Sequence, residues 1–433
     1  MNQNVVSPVR LVPRVQCIFT ICTKSYIGLA EALGLSLRDS GVDSDFLVLV
    51  VDHEVDDLTS STGQVVSART FCGYSESEWI ERTFKYDLVE LCTSIKARAF
   101  QKVFSNGYEK AIYFDPDIIV FDDLSGVFSA LDTHDVVATP HRLSSHSDVQ
   151  ARGGVFNLGF LAARRGAAAD MVMTWWDERL LDHAITDPMR GYFTDQKWMD
   201  HLPVLLRKDR LLISDHPGMN LAPWNLTERE MQEANGRREV RLKDSGSHWR
   251  PLCFAHFSAF DYRSLAAGES CAKSRLADDA MPGFGALLDD LAQYLRRGEF
   301  LKHAMIPYEY ASFSKGTLVL PGHRRMYHRL LESGHTFPNP FEEGAPFHAC
   351  LKSARLLTSA GMGKLGRPDT QERDNQVGRA AKLLDLFSWL AVRMIGYPRF
   401  ALLCKLLIRY CHPSNQVRLL GKKVQKKVDF TYF

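Results

Sequence analysis

The sequence predicts an α/β fold, a sheet flanked by helices, followed by a smaller helical lobe and a helical tail. Strand-length apolar segments at 15–21 and 46–51 enclose a stretch whose apolar residues, from Ile27 to Leu37, follow helical spacing. Two more such segments flank a pair of aspartates, and helical periodicity dominates after residue 266. Strand, helix, strand units build parallel sheets, which bind ligands at the carboxyl ends of their strands.

Composition and charge narrow the function classes. The chain has 433 residues, of which 45% are hydrophobic and 24% charged, as in soluble globular proteins with more than one structural unit. The net charge of +2 gives no reason to expect a nucleic-acid partner. Nine scattered cysteines without Cys-x-x-Cys pairs favour a reduced, cytoplasmic compartment. The apolar segment after Arg14 is interpreted as the first strand, and none reaches the roughly 18 residues of a membrane span.

Asp115 and Asp117 mark a candidate metal site. Neither carboxylate belongs in a sheet core, and Pro116 fixes its own φ and offers no backbone N–H, so a strand must end at Asp115. Two carboxylates held one residue apart at a sheet edge suit a hard cation such as Mg²⁺ or Mn²⁺, completed by substrate phosphates. A surface turn that uses its aspartates for local hydrogen bonds is the alternative.

These aspartates resemble the Asp-x-Asp motif of GT-A glycosyltransferases, whose fold is a Rossmann-like mixed sheet flanked by helices. Phe156-Asn157-Leu158-Gly159 is similar to the Phe-Asn-x-Gly segment of family 8 enzymes in that group. The resemblance covers roughly residues 15–265. It implies a metal that carries the diphosphate of a nucleotide sugar, and an Asn157 side chain that faces the donor sugar. An Asn157 that only holds two loops together is the alternative.

The resemblance also assigns an Asp-Gln pair and a histidine. Asp195 and Gln196 match the pair that lies beside the anomeric carbon or the acceptor hydroxyl, and Thr194 is a candidate N-cap that would place both in a first helical turn. His256, in an aromatic segment at 252–261, corresponds to a third metal ligand, although the longer His-x-x-Gly-x-Lys-Pro-Trp pattern of family 8 is absent. A dipole-stabilising Asp195 and a structural His256 are the alternatives.

Five further residues are candidate donor contacts. Thr23, Tyr26 and Asp52 follow the first two strands, where the resemblance implies binding of the base and ribose. Helix capping by Thr23 and a solvated Asp52 are the alternatives. Lys96 and Arg98 precede the aspartates on a predicted helix, and positions two apart do not face the same way. At most one of them is therefore expected to reach the diphosphate, with Lys96 preferred.

We expect four parts: a catalytic domain at 1–265, a helical lobe at 266–358, a linker at 359–380 and a tail at 381–433. A Gly-x-Gly-x-x-Gly match inside the linker lacks a preceding strand and is not interpreted as a dinucleotide site. The tail holds ten Lys or Arg against two Asp, a net charge of +8, with apolar residues at helical spacing. It is expected to bind an anionic membrane surface, or else to pack on the protein or a partner.

These features predict a metal-dependent glycosyltransferase of the bacterial polysaccharide type. It would move a sugar from a nucleotide-sugar donor to a glycan or lipid-linked acceptor at the inner face of a membrane. Retention of configuration is implied by the resemblance, whereas Asp195 acting as a general base favours inversion. The alternatives are a non-catalytic nucleotide-sugar or glycan-binding protein and a sugar-phosphate nucleotidyltransferase. The latter normally has a glycine-rich phosphate loop, which residues 23–26 lack.

Overall fold

A computed structural model describes residues 15–357 and 370–420, apart from positions 54, 56, 57, 59, 145–150, 152, 244, 245 and 247. Three expected features lie partly outside the described residues: a polar loop at 141–152 that we expect to cover the donor, the linker up to residue 369, and the tail after residue 420. The chain forms two compact units. One comprises residues up to Tyr74 and Leu88–Tyr308, and the other comprises Ser75–Asp87 and residues from Glu309 onward.

A seven-stranded mixed sheet forms the centre of the first unit, and the predicted fold class is confirmed. The strands of this unit are β1 (Gln16–Cys22), β2 (Asp45–Val50), β3 (Gln64–Ser67), β4 (Lys110–Phe114), β5 (Ile118–Val120), β6 (Val136–Pro140), β7 (Phe156–Arg164), β8 (Thr186–Asp187), β9 (Tyr192–Phe193), β10 (Leu211–Ile213), β11 (Arg229–Ala234), β12 (Arg237–Leu242), β13 (Arg250–Pro251) and β14 (Phe254–His256). The main sheet has the order β10-β6-β7-β4-β1-β2-β3. Only β7 runs antiparallel to its two neighbours there.

Helices cover both faces of this sheet. The α-helices are Ile27–Asp39, Ala68–Cys72, Leu88–Ser94, Lys96–Ser105, Ser125–Thr133, Ala167–His183, Leu202–Leu205, Tyr262–Ala267, Ala272–Ala280, Phe284–Arg297 and Phe300–His303, and the 3-10 helices are Lys24–Tyr26, Pro188–Arg190, Lys197–His201 and Leu226–Glu228. Ile27–Asp39 packs its buried Leu33 and Leu37 against the apolar face of β2. It ends before Gly41, whose φ of 71° suits glycine.

The helix Phe284–Arg297 belongs to the first unit, although residues 266–308 were expected in a separate lobe. Its apolar face is buried against Leu29 and Ala32 of the first long helix. Gly28 permits a close approach nearby, because a Cβ there would lie 2.4 Å from the Cα of Phe300. Burial of each large apolar side chain stabilises the fold by roughly 1.5–3 kcal/mol, so the apolar face of this helix holds it in the first unit.

The second unit is helical. Its α-helices are Glu76–Lys85, Pro321–Glu332, Pro346–Ser353, Thr370–Ile395 and Tyr397–Cys411, and its 3-10 helices are Glu309–Ala311 and Pro413–Leu420. Phe84, Tyr327 and Phe347 form its aromatic core. The buried Arg324 donates to the carbonyl oxygens of Thr83, Phe84 and Tyr86.

Two features of the second unit differ from the expected linker and tail. The helix Thr370–Ile395 begins inside the range expected to be a linker. Pro413–Leu420 inserts Val417 and Leu420 into the core, so this part of the tail packs on the protein. Within the described ranges, no helix combines the length and the apolar character that crossing a bilayer requires.

Candidate active site

Asp115, Asp117 and His256 meet at one edge of the sheet. His256 Nε2 lies 3.1 Å from Asp117 Oδ1 and 3.8 Å from Asp115 Oδ2. One ligand atom from each of the three residues lies within 4.8 Å of the others. The histidine is buried, whereas the two carboxylates are 28% and 17% exposed and face the cleft. The structure therefore brings together the three side chains that sequence reasoning proposed as metal ligands.

Strand pairing explains how residues so distant in sequence meet. Asp115 directly follows β4, and its backbone N–H donates to the carbonyl oxygen of Gly159 in β7 at 2.8 Å. Asp117 directly precedes β5, which pairs with β14 so that Ile118 lies opposite His256. The N–H of Phe257 donates to the carbonyl oxygen of Asp117 at 2.9 Å. The β5–β14 pair thus holds the histidine beside the Asp-Pro-Asp turn.

The electrostatics of this cluster favour a bound cation. Burial disfavours charge on His256, but Asp117 and Asp115 outweigh it, so the pKa of His256 is raised above its usual value. Burial also opposes ionisation of Asp117, yet His256 and hydrogen bonds hold its pKa below the usual range. Two carboxylates and one imidazole are a donor set that suits Mn²⁺, and the carboxylates suit Mg²⁺. These side chains therefore fit the metal that the resemblance implies.

Two tyrosines that sequence reasoning missed orient the carboxylates. Tyr113 donates its hydroxyl to Asp115 Oδ1 at 2.5 Å, and the Tyr262 hydroxyl lies 2.9 Å from Asp117 Oδ2. Burial raises the pKa of both phenols well above the usual range, which keeps them protonated as donors. Strand alternation places Tyr113 on the same face as Asp115, so this contact was detectable. No pattern in the sequence points from Tyr262 to Asp117.

Lys96 lies buried between two carboxylates. Its Nζ is 3.0 Å from Asp195 Oδ2 and 3.5 Å from Asp115 Oδ1, and it donates to the carbonyl oxygen of Leu158 at 2.8 Å. Burial lowers the pKa of the amine, but the two aspartates outweigh it and the net pKa is raised. In contrast to the expectation for a donor contact, Arg98 does not line the cleft, because its guanidinium binds Asp177 at 2.7 Å. Helical geometry explains why only one of the two basic residues points inward.

Asp195 and Gln196 occupy a turn, which corrects the prediction of a helical first turn capped by Thr194. Thr194 has a left-handed φ of 49°, and the 3-10 helix begins only at Lys197. Burial raises the pKa of the Asp195 carboxyl, with Lys96 opposing. Gln196 bridges two backbone segments, because its Nε2 donates to the Gly153 carbonyl oxygen at 2.6 Å and its Oε1 accepts the N–H of Leu158 at 3.1 Å.

A cleft of about 350 Å³ joins these residues. Thr23 and Tyr26 line it together with Asn157, and Tyr26 is 37% exposed. Asp52 follows β2 as predicted, but it does not line the cleft, and its carboxylate accepts the N–H of Lys24 at 2.7 Å. Asn157 lies near the start of β7. Because β7 runs antiparallel to β4, this part of β7 lies beside the end of β4.

Two residues from the loop after β10 complete the surroundings of His256. The Trp224 ring meets the His256 ring edge to face at 5.1 Å. Asn220, fully buried with a φ of 55°, donates to Asn157 Oδ1 at 3.1 Å and to Thr139 Oγ1 at 3.0 Å. Sequence reasoning missed both residues, because nothing in the local sequence indicates that this loop reaches the sheet edge.

Comparison with known proteins gives distant likenesses. No protein-family model matches the chain. The uncharacterised protein YfnF of Bacillus subtilis (strain 168) is 25% identical over 256 residues, which is 57% of this chain and 82% of that protein. The structure of the galactosyltransferase LgtC with donor and acceptor sugar analogs has 14% identity and a TM-score of 0.36, over 64% of this chain and 95% of LgtC. A glycosyltransferase involved in glycosylation of the PBCV-1 major capsid has 9% identity and a TM-score of 0.32, over 61% and 98% of the two chains.

Proposed function

We propose that this protein is a metal-dependent glycosyltransferase that uses a nucleotide-sugar donor and a glycan or lipid-linked acceptor. The cluster of Asp115, Asp117 and His256 beside the cleft is the observation that supports this most. Mn²⁺ or Mg²⁺ held there would neutralise the diphosphate leaving group. The cleft volume of about 350 Å³ falls in the usual range for small-molecule sites, about 300–1,000 Å³.

The remaining cleft residues have roles that follow from their positions. Thr23 and Tyr26, which follow β1, would contact the base and ribose. Lys96 Nζ lies 3.0 Å from Asp195 Oδ2 and 3.5 Å from Asp115 Oδ1, so one buried cation faces both carboxylates. Asp195 and Gln196 would lie beside the reacting sugar carbon or the acceptor hydroxyl. In this arrangement the charged side chains are in place before the substrate binds, which lowers the activation free energy of the reaction.

A panel of nucleotide sugars tests the proposal. We expect a cognate donor to raise the melting temperature in the presence of Mn²⁺ and not in EDTA, since a ligand at 100 times its Kd stabilises by about 2.7 kcal/mol. Release of free nucleoside phosphate from that donor would separate a transferase from a non-catalytic binding protein. Pyrophosphate release from a nucleoside triphosphate and a sugar phosphate would instead support a nucleotidyltransferase. A donor effect that is equal with and without EDTA would contradict the metal-dependent proposal.

Asp195→Asn is expected to separate donor binding from chemistry. The amide retains the size of the side chain but loses the charge that faces Lys96, so we expect donor Kd to change little and turnover to fall by about 100-fold. Asp177→Asn is a matched control, because Asp177 also pairs with a basic side chain but lies outside the cleft lining. Equal losses of donor affinity and turnover would place Asp195 in donor binding. The anomeric configuration of the product, read by NMR, decides between retention and inversion.

We also propose that the helices Thr370–Ile395 and Tyr397–Cys411 bind an anionic membrane surface. Their described side chains expose a large apolar area: Leu383, Leu384, Leu386, Phe387, Trp389, Leu390, Met394, Ile395, Tyr397, Leu402, Leu406, Leu407, Ile408 and Tyr410. Basic side chains accompany them, with Arg393 stacked over the Trp389 ring at 3.5 Å. Apolar area flanked by Lys and Arg suits anionic lipid. Nine cysteines that form no disulfides fit the cytoplasmic face, where a lipid-linked acceptor would be available.

Vesicle sedimentation tests this surface. The full chain is expected to sediment with anionic vesicles and less with neutral ones. Sedimentation with anionic vesicles should decrease at 1 M salt, because the Debye length falls from about 10 Å at 0.1 M to about 3 Å at 1 M. A Phe387→Ser, Trp389→Ser, Leu390→Ser variant should lose binding. Truncation after residue 379 is unsuitable, because it would remove Val417 and Leu420 from the core.

The matched control for vesicle binding replaces exposed apolar residues of the first unit. Met171, Leu181 and Val204 are 43%, 50% and 85% exposed, and serine at these positions should leave sedimentation unchanged. If the control variant loses binding and the helix variant retains it, the membrane surface lies elsewhere.

A further inference from the structure

We propose that Asn157 is a positioning residue that holds His256 in the tautomer with its proton on Nδ1, and so reserves Nε2 for the cation. This inference rests on the proposed metal site. It gives Asn157 a role different from the donor contact that the resemblance implied. Metal-binding histidines are commonly fixed by a hydrogen bond from the second ring nitrogen, and here the acceptor is an amide oxygen.

Three donors converge on one oxygen of Asn157. The N–H of Gly159 lies 3.1 Å from Oδ1, Asn220 Nδ2 lies 3.1 Å from it, and His256 Nδ1 lies 3.2 Å from it. A backbone N–H can only donate, so the Asn157 atom that faces Gly159 must be the acceptor oxygen. His256 Nδ1 faces the same oxygen and must therefore carry a proton. In the neutral imidazole the lone pair then lies on Nε2, which is 3.1 Å from Asp117 Oδ1 and 3.8 Å from Asp115 Oδ2.

Contacts of the other amide atom agree with this orientation. Asn157 Nδ2 lies 3.4 Å from His141 Nε2 and 3.5 Å from Gln196 Oε1. His141 Nδ1 lies 2.9 Å from the carbonyl oxygen of Gly154, so Nδ1 donates and Nε2 is left as an acceptor. Burial lowers the pKa of His141 to about 4, which keeps this ring neutral. Both neighbours of Nδ2 are thus acceptors. A flipped Asn157 amide would place its oxygen against these two acceptors, which is unfavourable.

Gly159 provides the space that the His256 ring occupies. A Cβ at this position would lie 2.4 Å from His256 Cε1 and 2.6 Å from Nδ1, closer than real side chains approach. The same Cβ would lie 2.9 Å from Asn157 Oδ1. The Phe-Asn-x-Gly segment therefore supplies both the space for the imidazole and its hydrogen-bond acceptor. An oxygen that already receives three donors has no lone pair left for a sugar hydroxyl.

The test is the Mn²⁺ dissociation constant of the donor-free protein, measured by the EPR signal of free Mn²⁺. Asn157→Ala is expected to weaken binding by about 10–100-fold, the usual effect of removing such a partner. Asn157→Asp keeps an acceptor oxygen at Nδ1 but turns its second oxygen toward His141 Nε2 and Gln196 Oε1, so it should bind Mn²⁺ more tightly than Asn157→Ala and more weakly than wild type. Gly159→Ala should weaken binding because its Cβ displaces the ring. Gly126→Ala, where a Cβ meets nothing within 4 Å, should match wild type.

A second measurement needs no variant and so does not depend on how well the variants fold. In protein labelled with ¹⁵N-histidine and saturated with Mg²⁺, the shifts of His256 should report the tautomer with the proton on Nδ1. The other tautomer would overturn the proposal. So would an Asn157→Ala protein that binds Mn²⁺ like wild type, or a folded Asn157→Asp protein as weak as Asn157→Ala. Absence of Mn²⁺ binding by wild type would instead defeat the proposed metal-dependent function, and this inference with it.

Discussion

Asp117→Asn is expected to abolish Mn²⁺-dependent sugar transfer while the chain remains folded. An amide is a poorer ligand for a hard cation, and the substitution removes a negative charge from the cluster of Asp115, Asp117 and His256. Both Mn²⁺ binding and stabilisation of the diphosphate leaving group are therefore expected to weaken. We expect turnover to fall by about 10³-fold or more, as when a main electrostatic contact to the transition state is removed. The amide oxygen can still accept from the Tyr262 hydroxyl, which preserves the local packing.

The measurements are Mn²⁺ affinity, donor turnover and the melting temperature of the same preparation. Asp132→Asn is a suitable control, because this carboxylate does not line the cleft, pairs with Lys110 at the first residue of β4 and is 66% exposed. The control should retain turnover and Mn²⁺ affinity. Wild-type turnover in Asp117→Asn, or a wild type indifferent to EDTA, would contradict the central proposal.

Lys96→Met is expected to destabilise the protein by about 3–5 kcal/mol, because it leaves the buried Asp195 without its cationic partner. The Lys96 and Asp195 side chains are both only 3% exposed, so water cannot compensate for the lost charge. Arg98→Met, two residues along the same helix, removes a pair that is 35% and 14% exposed. We expect that change to cost about 0–1 kcal/mol. Urea unfolding of the two variants measures the difference.

A double substitution sharpens this comparison. Adding Asp195→Leu to Lys96→Met removes both charges and should recover much of the stability, since replacing a whole buried ion pair by apolar side chains is often neutral. It would not restore activity, because Asp195 belongs to the proposed site. Equal destabilisation by Lys96→Met and Arg98→Met would show that the buried pair has no special weight. A further loss in the double variant would show that Asp195 is stabilised by groups other than Lys96.

The sequence by itself determined several local features of the candidate active site. Apolar segments of strand length and Pro116 end a strand at Asp115 whatever the rest of the chain does, because backbone dihedrals and side-chain alternation act within a few residues. The amphipathic pattern after Phe284 produced a helix for the same reason, and the structure has it at Phe284–Arg297. Helical geometry also predicted that Lys96 and Arg98 could not both face the cleft.

Only the tertiary structure decided which distant residues share the site. His256 reaches Asp117 because β5 pairs with β14. Tyr262 reaches Asp117 because it is the first residue of the helix that follows β14 in the chain. Thr194 adopts a left-handed backbone conformation, which is unfavourable for a β-branched residue. Its N–H donates to the carbonyl oxygen of Ile185 at 3.0 Å. Burial and such hydrogen bonds override the local preference for a helix cap. Strand register, burial and the orientation of an amide such as Asn157 are properties of the packed chain, and local sequence does not encode them.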